Sequence, residues 1–139
     1  MKSFKTLLKI AKRELDALRR ALGDANKRLA ETQARIVQHD TNVAAERALS
    51  ARDYESARAF TAYAALAKQQ RAALMAERAS IEAEIEGLRK LIAEAHVESR
   101  KFERLIELEE AREKTRREKR EDAELDEMAT LRAGRARPA

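Results

Sequence analysis

Stepping alternately four and three residues from Phe4 lands on Leu8, Ala11, Leu15, Leu18, Leu22, Ala25, Leu29, Thr32, Ile36, His39 and Val43, and ten of these twelve positions are apolar. The same step from Phe60 gives Ala64, Ala67, Arg71, Leu74, Arg78, Ile81, Ile85, Leu88, Ile92, Ala95, Ser99, Phe102 and Ile106, with eleven of fourteen apolar. An apolar repeat averaging 3.5 residues keeps one stripe of a helix facing a partner, so the pattern predicts helices wound left-handedly. Between the two runs the stripe fails, because Glu46, Ser50 and Asp53 fall on it in succession before Ala57. Ser50 and Asp53 are both good N-cap residues, whose short side-chain oxygens can accept the free amides of a new helix. A turn is therefore placed within residues 47–57, although no Gly or Pro lies there and the heptad phase carries straight across.

The two runs nearly match in length, so folding at the break lets each stripe cover the other. This predicts an all-α fold, a long two-helix antiparallel coiled-coil hairpin forming one domain over residues 1–139. Helix 1 is expected over about 3–48, the turn over about 49–56, helix 2 over about 57–132 and a frayed tail over 133–139. That folding sets Val43 beside Phe60, Phe4 near Ser99 and Phe102, His39 near Ala64 and His96 near Leu7. The rival is one continuous helix pairing in parallel with a second copy. Only Pro138 must break a helix, and Gly23 and Gly87 read as tolerated within helices.

After Ile106 the stripe ends while helix propensity continues. Sixteen of the twenty-one residues from Glu107 to Glu127 are charged. Glu110–Lys114 and Glu113–Arg117 have the spacing, acid first, that supports a helix without partners. Helix 1 has nothing left to cover this stretch. It is expected as a C-terminal single-helix overhang of roughly 30 Å, at about 1.5 Å per residue.

Composition agrees with a thin seam rather than a globular core. Charged residues make up 40% of the chain and aromatics 4%, while apolar residues still reach 44%, too many and too regular for disorder. There is no Cys, which excludes a disulfide framework or thiolate metal site and fits a reducing compartment. The basic, amphipathic N-terminal stretch is interrupted by Glu14 and Asp16 and reads as the start of helix 1 rather than a targeting segment. No run approaches the roughly 20 apolar residues that cross a bilayer.

Candidate chemistry is sparse. The sequence holds no Gly-rich phosphate loop, no Cys nucleophile and no nucleophile elbow, so neither catalytic nor cofactor-binding residues are expected. His39 and His96 are the only histidines and the hairpin separates them, so no metal set is expected. His39 on the stripe reads as a polar register-setter or a surface residue near the tip. The net charge of +5 raises the question of nucleic acid, but acids are interleaved with the bases and stacking aromatics are missing. Arg112, Arg116 and Arg120 form a stripe with Lys119 close by, which reads as a solvated face or a dock for an acidic protein. Three of the five aromatics, Tyr54, Phe60 and Tyr63, gather at the turn, where they can cap the seam or anchor a partner. Leu125, Met128 and Leu131 form a smaller apolar stripe.

Several local patterns resemble one family. They are Phe4-x-x-Leu7-Leu8-x-x-Ala11, Phe60-x-x-Tyr63, Lys101-Phe102-Glu103-Arg104-Leu105, Arg117-Glu118-Lys119-Arg120-Glu121 and Leu125-Asp126-Glu127-Met128-Ala129. Over about residues 2–131 the chain resembles the FliJ family, the small coiled-coil component of the bacterial flagellar type III export apparatus. The resemblance implies a non-catalytic stalk, similar to the γ subunit of rotary ATPases, that enters the ring of the export ATPase FliI and reaches the export gate FlhA. It also implies an escort role for export chaperones, with FliH a further possible partner. Carried onto this chain, Arg112, Arg116, Lys119, Arg120, Leu125 and Met128 would face the ATPase, and Asn42, Glu46, Phe60 and Tyr63 the gate. The expected protein is a monomer alone, cytoplasmic and peripheral at the inner-membrane export apparatus, with no cofactor and no nucleic acid. It departs from the family pattern in lacking a Gly near the tip.

Overall fold

The computed structural model describes residues 3–136. Two helices account for nearly all of them, α1 (Phe4–Ser50) and α2 (Tyr54–Ala136), and no strand occurs among the described residues. The helices pack against each other as a hairpin. The expected end of helix 2 near 132 is passed, since residues 133–136 are helical; 137–139 of the expected tail lie outside the described residues.

Each helix start is capped by the residue type the chemistry requires. Ser3 precedes α1, and its hydroxyl accepts the Thr6 amide at 3.3 Å while its carbonyl accepts the Leu7 amide. Asp53 precedes α2, and its Oδ1 accepts the Ser56 amide at 2.7 Å. Of the two caps expected at the turn, only Asp53 caps. Ser50 instead closes α1, its hydroxyl donating to the Arg47 carbonyl at 2.6 Å. Arg47 in the last turn of α1 and Glu55 in the first turn of α2 each oppose the helix dipole favourably. The turn itself is residues 51–53, with no positive φ among the described residues, so the Gly of the family pattern is not needed here.

The chain divides into two compact units, one holding Arg13–Ala95 and the other the segments up to Lys12 and from His96 onward. In the 13–95 unit the seam centres on Ala25, Ile81 and Ile85, against which Leu22, Leu29 and Leu88 pack. All α1 stripe positions from Leu15 to Val43 are buried or half-buried, and Thr32 is 2% exposed. The α2 stripe behaves the same way except at Arg71, which leaves the seam for a two-pronged pair with Asp40, Nε to Oδ1 at 2.9 Å. Arg28–Glu84 at 2.7 Å and Arg35–Glu77 at 3.3 Å bridge the helices along one flank.

The observed pairing corrects the expected register. His39 Nε2 donates to the carbonyl of Ala67 at 2.9 Å, rather than lying beside Ala64. In the other unit, Phe4 lines a surface recess with Ile106, one turn beyond the expected neighbour Phe102. Both differences move the α2 partner onward, away from the turn. The offset arises at the tip, where one recess groups Glu46 with Tyr63, and Leu49 with Ser56 and Phe60. Partners are set by how seam layers interdigitate, so counting from the middle of the loop places them too near the turn.

In the second unit, Leu7, Leu8, Leu105 and Ile106 are half-buried, Ala11 and Ser99 are buried, and Lys12 pairs with Glu103 at 4.0 Å. No acid lies in the first turn of α1. Glu109, Glu110 and Glu113 of α2 stand in the same recess as Ser3, Phe4 and Lys5, and offer the positive helix end negative charge from the opposite helix.

Candidate partner-binding surfaces

At the tip, the 13–95 unit brings three of the four expected gate-side residues together. Glu46, Phe60 and Tyr63 line one recess with Leu49, Arg52 and Ser56. Phe60 and Tyr63 are half-buried and touch each other, ring centroids 5.9 Å apart and tilted by 39°. The Arg47 guanidinium stands 5.8 Å from the Phe60 ring centre, a cation held over a π face. Both rings therefore cap the end of the seam. The aromatic that stands free is Tyr54, 80% exposed, which sequence reasoning grouped with them without assigning it a contact. Its place at the first residue of α2, just past the cap, is the signal that distinguishes it.

Asn42 lies apart. It is exposed, accepts the Gln38 side-chain amide at 2.9 Å, and lines a separate groove with Gln70, His39, Leu74 and the Arg35–Glu77 pair. Gln38 and Gln70 were not singled out from the sequence. The pattern that finds Gln70 is the flank of the heptad, where Arg28, Arg35 and Asn42 recur every seven residues opposite Gln70, Glu77 and Glu84, and Gln38 lies one turn before Asn42.

Along the C-terminal stretch, every residue from Glu107 to Ala136 is exposed. Arg112, Arg116 and Lys119 line a shallow groove floored by Ala111 and Thr115. Arg116 is tethered to Glu113 at 3.7 Å. Arg120 is exposed one turn beyond Arg116 and does not line that groove. Leu125, Met128 and Leu131 are each more than half exposed, at 63%, 52% and 57%. Their three- and six-residue spacing sets them along one side of the helix.

Among the described residues no group of His, Asp and Glu could hold a metal ion, and no helix is long and apolar enough to cross a membrane. The recesses lie open along the helix faces, lined by charged and amide side chains together with the apolar edges of the seam. The fold defines a coiled-coil protein of two long helices packed against each other.

A family model described as "Flagellar FliJ protein" matches residues 1–138, and the chain belongs to that family. Membership makes it a component of the flagellar export apparatus. Comparison with curated proteins and with solved structures gave no match.

Proposed function

We propose that this chain is a non-catalytic stalk of the export machine, with its C-terminal helix as a single-helix overhang that enters the ring of the export ATPase FliI. The turn would face the export gate FlhA, and FliH and export chaperones would be further partners at the cytoplasmic side of the inner membrane. The observation that supports this reading is the exposed stretch from Glu107 to Ala136, where a basic groove and three exposed apolar residues share one helix end. Such a surface spends its apolar and basic groups on another molecule or wastes them. Membership of a flagellar export family is what directs the reading to the export ATPase.

The test is to mix purified protein with FliI and follow ring assembly and ATP hydrolysis. Both should rise with the wild-type chain. Reversing charge at Arg112, Arg116, Lys119 and Arg120 together should abolish the rise while leaving the helical circular dichroism intact. If the wild-type chain changes neither assembly nor hydrolysis, the stalk reading is wrong.

A further inference from the structure

Three observations meet at the tip. First, the heptad step runs unbroken from Val43 through Glu46, Ser50, Asp53 and Ala57 to Phe60. If residues 51–53 became helical, the stripes of α1 and α2 would join on one face of a single helix. Second, the connection does little to forbid that change. Ala51, Arg52 and Asp53 include no Gly or Pro and no positive φ, and Ala and Arg are among the best helix formers.

Third, the interhelical contacts of the 13–95 unit join an α1 residue to an α2 residue: Arg28 to Glu84, Arg35 to Glu77, Asp40 to Arg71, and Ala25 to Ile81 and Ile85. None of them requires both residues to belong to one molecule. The bonds that do belong to the hairpin alone are few and lie at its tip. They are the Asp53 cap on Ser56 and the Arg52 amide on the Leu49 carbonyl at 3.2 Å.

We infer that residues 51–53 are a hinge, and that the seam also fits a second copy of this chain, the two lying antiparallel with hinges straightened and each α1 packed on the other's α2. The cluster that joins Ala25 to Ile85 fits a register with Leu29 opposite Ile81, and that register carries Asp53 to Ala57. In the exchanged dimer, Asp53 of each copy therefore meets a small apolar residue rather than another carboxylate. The unbroken phase is what makes the exchange possible, since a shifted phase would turn one stripe away from its partner.

Two effects set the balance. A short connection gives the hairpin seam an effective concentration of about millimolar or more. Opening the hinge loses the tip bonds but extends one helix through it. The wild-type chain is therefore a hairpin at micromolar concentration, and the dimer gains when the cap is weakened or the chain is concentrated.

The test uses the full chain carrying Arg28→Cys and Glu84→Cys, the only thiols present because the protein has no Cys. Light scattering measures the dimer, and a short bismaleimide reports whether positions 28 and 84 join within or between chains. Adding Asp53→Ala should raise the dimer association constant on the order of tenfold to thirtyfold, because each dimer formed competes with two hairpins that have both lost a cap. The dimer's cross-links should run between chains. A variant that keeps its helical circular dichroism yet stays monomeric, with only intrachain links, would overturn the proposal. So would an interchain link with Arg28→Cys alone, because like positions meet only in a parallel dimer. Should Asp53→Ala fail to fold, the same readout on the two-cysteine chain at rising concentration serves, and intrachain links alone at millimolar concentration overturn it.

Discussion

Asp53 is the residue on which the hairpin's tip depends most. The Ser56 amide donates to its carboxylate and holds its pKa below the ordinary aspartate range; Arg71 does the same to Asp40. A carboxylate whose pKa is lowered on folding adds stability above its unfolded value near about 3.9, and that stability is lost as pH falls through the folded value. Thermal melts followed from neutral pH down to about pH 2 should therefore lose midpoint in the acid range. Replacing both residues by Asn should flatten that loss; an unchanged acid slope would show that these two carboxylates do not contribute to it. In the seam the expected effect is larger and independent of pH. Ile85, 5% exposed, packs in the Ala25–Ile81 cluster, and Ile85→Ala should cost about 2–4 kcal/mol through the cavity it leaves. Leu125→Ala should leave urea unfolding within about 0.5 kcal/mol of wild type, because Leu125 is open to solvent.

At the scale of the helix, Gly23 and Gly87 lie inside α1 and α2 with nothing within 4 Å of where a Cβ would stand. Each substitution to Ala should therefore stabilise by about 0.5–1 kcal/mol, read as a higher melting midpoint, and the two should add because the sites are independent. The two helices and their seam faces were legible in the sequence because burial follows the 3.5-residue step almost without exception. Where it fails, at Arg71, a charge at a seam position finds a carboxylate on the flank. Two features were less legible. Ser50 and Asp53 carry equal capping promise, and only geometry separates the one that ends α1 from the one that starts α2. The step also tells which faces meet but not which layers, so His39 finds Ala67 where counting gave Ala64. The candidate surfaces were readable as types and less so as arrangements. Phe60 and Tyr63 spend their rings on each other and on Arg47, while Asn42 opens on a different groove from Glu46.

For the molecule as a whole, a net charge of +5 with acids and bases interleaved favours contacts that salt weakens without abolishing. On the proposed stalk reading, binding to the ATPase should accordingly loosen several-fold between low and physiological salt, and a binding isotherm flat in salt would point to the apolar trio, Leu125, Met128 and Leu131, as the principal contact. The C-terminal stretch of α2 has a further consequence. Starting a helix is the costly step, since several dihedrals are fixed before the first bond forms, whereas adding one residue to an existing helix is nearly neutral. Packing up to Ile106 performs that first step, so the residues after it extend a helix already begun. Their amide hydrogens should exchange in a graded series, slowest near Glu107 and faster toward Ala136, rather than opening together. A partner that grips this stretch then meets a helix that needs little further ordering, and can hold as many turns as its own depth requires.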